Sequence, residues 1–246
     1  MPSQIHLINT VTAAERIVYK LLVEQPLLTF NCKGIDIGPR GTLTLVTVST
    51  PDGRVYIFDI KADPNIVLNG GLVRLIESVD NIKVLHDSKK QAECLYNQFK
   101  IRLKHIFDVQ DKYADLMEKR GLPRRKLTLP ALLERYNIER CTPSTKLQRL
   151  LREDRNVWCR RPLTSDMLNT AAADVLPLLP GLYVTLYRCL GYHEEKEQPE
   201  SPCTDDNLTM LEDVPQIDKY SLPVSLTTAK NRLSLPTNYL HIHLTK

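Results

Sequence analysis

The segment from Gly41 to Ile60 does most to limit what this chain can fold into. Gly41–Ser49 (GTLTLVTVS) alternates cleanly, with Leu43, Leu45 and Thr47 on one face and Thr44, Val46 and Val48 on the other. Thr50-Pro51-Asp52-Gly53 then supplies a turn, and Arg54–Ile60 (RVYIFDI) resumes an extended pattern. Runs rich in β-branched residues on either side of a Pro-Asp-Gly turn form a hairpin. Leu27 to Cys32, just upstream, is a third strand candidate, so two antiparallel connections join three strands.

On both sides of this block the period changes. Gln4 to Leu7 reads as a short strand. From Thr10 to Glu24, Val11, Ala14, Ile17, Val18, Leu21 and Leu22 recur at helical spacing, with Thr10 or Thr12 as the cap. Downstream, Gly70–Ser78 reads as a helix, Ile82–His86 as a short buried strand, and Ser88–Phe99 as a helix with Ala92, Leu95, Tyr96 and Phe99 inward. His105–Val109 is another strand. Helices follow near 110–120, 127–136, 144–154 and 165–191, with Pro177 and Pro180 set to break the last one. Strand–helix alternation after an antiparallel set implies an α/β fold with a mixed central sheet and helices on both sides.

Past Tyr192 the composition shifts. Residues 193–219 hold nine acids, two lysines and three prolines, which reads as an acidic linker or flexible tail. Residues 220–246 regain apolar content and read as a C-terminal extension, a candidate docked strand. The expected organisation is a domain over 1–192, the acidic segment, then the extension. No apolar run reaches the ~20 residues of a membrane span, and the opening residues carry no basic-then-apolar leader. Six cysteines without a C-x-x-C pair point to reduced thiols rather than a disulfide framework or zinc site.

The net charge of +4 is uneven: residues 100–161 carry 17 Lys/Arg against 8 Asp/Glu. Such asymmetry points to a polyanionic partner. Within it, Lys119, Arg120, Arg124, Arg125 and Lys126 crowd a loop, and Lys146, Arg149 and Arg152 recur at spacings of three on one helix. A surface of this kind binds RNA through phosphates, sensitively to salt. Tyr113 and Tyr136 are candidates for base stacking or for half-buried core. His241 and His243 share a strand face but lack further metal ligands nearby. Trp158 reads as core at a helix junction.

Three ordered blocks resemble the DEDD group of 3′–5′ exonuclease domains, within the ribonuclease-H-like fold. They are Phe30–Gly34 with the hairpin, Lys83–Asp108 (KVLHDSKKQAECLYNQFKIRLKHIFD), and Leu168–Leu176 preceded by Val157–Leu163 (VWCRRPL). The resemblance spans roughly residues 5–192. It implies phosphodiester hydrolysis by two divalent ions about 3.5–4 Å apart on carboxylate ligands. It also implies where those ligands fall. The Asp-x-Glu pair falls on Asn31 and Lys33, the third Asp on Gln91, and the Tyr-x-x-x-Asp on Thr170 and Asp174. One of the four carboxylates remains, and a lysine stands where a ligand is needed. The expectation is therefore a catalytically inactive fold with no catalytic residue, metal or cofactor, in which the Lys33 ammonium pairs with Asp174.

Asn69–Leu72, Lys83–Asp87, Phe107–Gln110 and Val157–Pro162 resemble, within that family, the exonuclease-domain proteins of the piRNA pathway. That resemblance implies an RNA-binding adaptor or scaffold in piRNA biogenesis. It also implies a homodimer with PIWI and Tudor-domain partners, in cytoplasm or ribonucleoprotein granules. The Sm-like domain of those relatives has no counterpart in the sequence. Two alternatives remain: an active exoribonuclease with a displaced site drawn from Asp36, Asp87 and Asp174, and a module that binds only proteins. Asp87 otherwise reads as a helix N-cap.

Overall fold

The computed structural model describes residues 4–139, 142–179 and 181–192. The acidic segment, the C-terminal extension and the His241/His243 pair lie outside these residues. Six strands form one mixed sheet in the order β1-β4-β3-β2-β5-β6. The expected hairpin is β3 (Thr42–Ser49) and β4 (Val55–Asp59), and β2 (Leu27–Ile35) pairs antiparallel with β3. The outer strands are parallel to their neighbours: β1 (Ile5–Ile8) to β4, β5 (Ile82–Leu85) to β2, and β6 (Ile106–Asp108) to β5.

One face of the sheet is covered by α1 (Val11–Glu24), α2 (Leu72–Glu77) and α3 (Ser88–Phe99), whose core includes Val18, Leu21, Phe30, Val46, Val48, Phe58, Leu75 and Leu95. Thr10 caps α1 by accepting from Ala13 N at 3.3 Å. The opposite face carries two separate apolar clusters. One joins Leu27 and Phe107 to α4 (Val109–Lys119), α5 (Leu129–Arg135) and α8 (Gly181–Cys189). The other joins Leu45, Val55 and Ile57 to α6 (Thr145–Glu153), α7 (Ser165–Ala173) and Trp158. Tyr113 and Tyr136 belong to the first of these, so they pack rather than present free ring faces.

Two local patterns differ from the sequence-based expectation. Leu43 packs with Val46 and Val48, not on the face of Leu45. The register slips between Lys33 and Gly34: Lys33 faces Leu45, whereas Gly34 faces Leu43, which leaves Thr44 as the extra residue. A bulge of one residue moves everything beyond it to the other face. Gly34 suits this close crossing, because a Cβ there would meet Thr42 O at 1.9 Å. The inner face of α3 is also rotated. Gln91, Cys94 and Leu95 are buried while Tyr96 is exposed, flanked by the cations of Lys100 and Arg102.

The stretch Ser165–Cys189 has the length and apolar content of a membrane span. It is nevertheless split into α7, a 3-10 turn (Leu176–Leu178) and α8, around Pro177 and Pro180. Its large side chains Met167, Leu178, Leu182 and Leu186 are packed in the two clusters.

Buried polar groups fix the connections. Lys83 is fully buried, and its Nζ donates to the carbonyls of Leu75, Ser78 and Asn81 at 3.3, 2.6 and 2.8 Å. The Asn81 amide in turn donates to Leu22 O and Gln25 O at the end of α1. Arg161 binds the buried Asp59 through both guanidinium edges and so holds the loop before α7 against β4. These bonds use carbonyls and a carboxylate that would otherwise be stranded away from water.

Candidate functional site

Alternation along β2 sends Leu28, Phe30 and Cys32 into the α1–α3 core. Thr29, Asn31 and Lys33 therefore rise from the opposite face, between the two apolar clusters. Here the sheet is polar. Thr29 shares a 2.7 Å hydrogen bond with Ser49 on β3, and Asn31 stands opposite Thr47, whose buried Oγ1 has no partner among the described residues. The end of α7 and the 3-10 turn Val157–Cys159 border this strip.

Lys33 and Asp174 meet there. Lys33 Nζ lies 2.5 Å from Asp174 Oδ2, and the two side chains are only 10% and 19% exposed. The same ammonium sits 4.6 Å from the centre of the Trp158 ring. The expected pairing of Lys33 with Asp174 is thus present, and Trp158 is more than core. Its ring forms one wall of the lysine's pocket, a contact worth about 0.5–2 kcal/mol depending on desolvation.

The remaining family positions are occupied by groups engaged elsewhere. Gln91 is buried; its Oε1 accepts from Cys32 N at 2.8 Å and its Nε2 donates to His86 O at 2.9 Å. It ties β2 to the start of α3, and only an amide does both at once. Thr170 Oγ1 donates to Asp166 O within its own helix at 2.7 Å. Asn31 brings one neutral oxygen acceptor. Hard divalent cations want several anionic oxygens. This donor set offers one carboxylate, already held by a lysine, so it does not fit a two-metal centre.

The displaced alternative gains no support from proximity. Asp36 is exposed at the end of β2 and faces Arg155 at 3.5 Å. Asp87 faces Lys90 at 3.8 Å. Among the described residues no three His, Cys, Asp or Glu side chains converge as metal ligands do. Asp87 also does not serve as expected at the α3 N-terminus. It occupies the N-cap position with φ +57° but makes no side-chain cap. The capping carboxylate is Asp108 on β6, which accepts from Ser88 N at 2.6 Å and from Gln110 N at 2.9 Å. It therefore caps α3 and α4 together. The Phe-Asp-x-Gln run carried this signal, since Asp108 directly precedes a helical pattern.

The eight basic candidates do not form one patch. Lys146, Arg149 and Arg152 line one side of α6 with Thr145 and Glu153. The others lie at the end of α4 and in the following loop. Several are already engaged: Arg124 with Asp115 and Glu118 at 2.8 and 2.6 Å, Lys126 with Asp111 at 3.0 Å, and Arg149 with Glu153 at 2.8 Å. Lys119 donates to Leu190 O at 3.0 Å. Arg120, Arg125, Lys146 and Arg152 carry no ion pair among the described residues. Burial raises the Cys32 and Cys94 thiols, so neither is disposed to react as a thiolate.

Comparison with known proteins agrees with the geometry. The 3′–5′ exonuclease family profile matches residues 6–190. The piRNA biogenesis protein EXD1 of Mus musculus is 31% identical over 165 residues, covering 64% of this chain and 28% of that protein. Human EXD1 is 31% identical over 163 residues, with 64% and 32% covered. An Egalitarian protein homolog of Caenorhabditis elegans is 22% identical over 201 residues, 78% of this chain and 35% of that protein. The matches thus span about a third of these relatives' length. Among solved structures, Trypanosoma brucei RNase D superposes with a TM-score of 0.64 at 17% identity, over 79% of this chain and 67% of that one. Escherichia coli RNase D gives 0.59 at 20% identity, over 77% and 45%. At that identity the structures speak to the fold, which is ribonuclease-H-like, while the profile covers most of the sequence: the chain belongs to the 3′–5′ exonuclease family.

Proposed function

We propose that this domain has lost metal-dependent hydrolysis and serves as an RNA-binding adaptor or scaffold in piRNA biogenesis. The observation that carries the proposal is the Lys33–Asp174 pair. A single cation occupies the place where the family's chemistry needs two metal ions, and the neighbouring amide and hydroxyl are spent on backbone bonds. An ammonium repels a divalent ion and supplies no lone pair while protonated. The piRNA context is supported by the name of the EXD1 relatives at about 31% identity. A homodimer acting beside PIWI and Tudor-domain proteins, in cytoplasm or ribonucleoprotein granules, belongs to the same proposal.

RNA contact is assigned to the basic residues that carry no ion pair, Arg120 and Arg125 beside α4 and Lys146 and Arg152 on α6. The test is a gel shift on single-stranded RNA in EDTA over a salt series. Binding through phosphates makes affinity fall with salt, with a log–log slope of about −0.7 per phosphate neutralised. Arg120→Glu with Arg125→Glu is expected to lower both affinity and slope. A protein-only module is favoured by the way Arg124, Lys126 and Arg149 are neutralised within the domain. It predicts no shift for wild type or variant.

A further inference from the structure

Helix α8 runs back along α4 and delivers the chain to a basic corner. Lys119 at the end of α4 holds Leu190 O at 3.0 Å. Lys112, two turns earlier, lies 5.7 Å from the centre of the Tyr192 ring, and its Nζ reaches Tyr192 Oη at 3.5 Å. Tyr192 also stacks at 5.3 Å on Tyr187 of α8. The chain is therefore pinned at Tyr192 against the same end of α4 from which Arg120, Arg124, Arg125 and Lys126 project. The residues that follow are His-Glu-Glu-Lys-Glu-Gln-Pro-Glu, and residues 193–219 contain nine acids against two lysines.

Position and charge together set a competition. Glu194 and Glu195 are two and three residues beyond Tyr192, a reach of roughly 7–10 Å. That is within about one screening length at physiological salt. A tether this short holds its carboxylates at millimolar effective concentration before the cations. Asp111, Asp115 and Glu118 cannot neutralise the corner alone, since Arg120 and Arg125 carry no ion pair among the described residues.

We propose that the acidic segment after Tyr192 docks on the basic end of α4 in its own chain and competes there with nucleic-acid phosphate. The competition with RNA rests on the RNA-binding proposal above; the docking does not. The occupant is named by complementarity: nine carboxylates meet an arginine- and lysine-rich surface at the point where the segment begins. An RNA strand must displace them, so the segment weakens non-specific contacts and leaves tighter ones in place.

The docking is tested on the 246-residue chain by carbodiimide cross-linking with peptide mapping. Links from Glu194, Glu195, Glu197 or Glu200 to Lys112, Lys119 or Lys126 are expected at about 50 mM salt. They should be lost at about 1 M, where screening falls to ~3 Å. Absence of these links at low salt, or their survival at high salt, overturns the docking. The competition is tested with a variant carrying glutamine at those four positions, which keeps the tether and removes its charge. RNA affinity of that variant is expected to rise about tenfold at low salt and to converge with wild type at high salt. Equal affinity at every salt, with RNA bound by both, overturns the competition. Salt-sensitive links with RNA bound by neither protein would uphold the docking and overturn the RNA-binding proposal instead.

Discussion

Removing either partner of the Lys33–Asp174 pair has a cost that the structure bounds. Breaking a fully buried ion pair by removing one partner costs about 3–5 kcal/mol, because a charge stays behind in a dry site. An exposed pair is worth only about 0–1 kcal/mol. With side-chain exposures of 10% and 19% this pair lies near the buried limit. The Trp158 ring softens the loss when the carboxylate is the partner removed. Lys33→Met and Asp174→Asn are therefore each expected to lower stability by about 2–3 kcal/mol. Replacing both charges, Lys33→Met with Asp174→Leu, should return to within about 1 kcal/mol of wild type. Urea unfolding of the four proteins gives the coupling directly, and the lone tryptophan supplies a local signal. Single variants within about 0.5 kcal/mol of wild type, or effects that simply add, would refute the argument, since groups in contact must couple.

Other consequences follow from bonds already described. Gln91→Glu returns a carboxylate to the site but cannot donate to His86 O, and should cost about 1–3 kcal/mol in urea unfolding. Asp108→Ala removes caps from two helices at once, at about 1 kcal/mol each; hydrogen exchange at Ser88 and Gln110 should quicken together. Burial pushes the Lys83 ammonium down to about 8. From pH 8 to about 10.5 the unfolded chain then binds the extra proton, so stability of wild type relative to Lys83→Met should rise across that window. Burial also pushes Tyr136 and Tyr183 up to about 12, so above pH 10 the unfolded chain loses protons first and both proteins should lose stability as pH rises.

The strands were legible because alternation and a Pro-Asp-Gly turn leave little choice for Gly41–Ile60. What alternation could not show was the extra residue at Thr44, which sends Leu43 into the other layer. The inner face of α3 was misplaced because a hydrophobic count passes over Gln91, a polar residue buried with both ends of its amide bonded. At the site, opposite charges at two motif positions were enough to foresee Lys33 against Asp174. The Trp158 wall depends on where the 3-10 turn Val157–Cys159 docks, and local sequence does not encode that. The basic candidates show the limit of counting charges, because Arg124 and Lys126 meet acids from α4, three to fifteen residues away in sequence. Asp108 was visible as a cap for α4, but its second role needs β6 laid beside β5.

The central claim is that the fold of a nuclease is kept here without its chemistry. The most direct measurement is incubation of 5′-labelled single-stranded RNA with the purified chain in Mg²⁺, Mn²⁺ or EDTA, resolved on a denaturing gel. The account predicts full-length RNA in every lane. Metal-dependent laddering that Asp174→Ala abolishes would contradict it and make the chain an active 3′–5′ exonuclease.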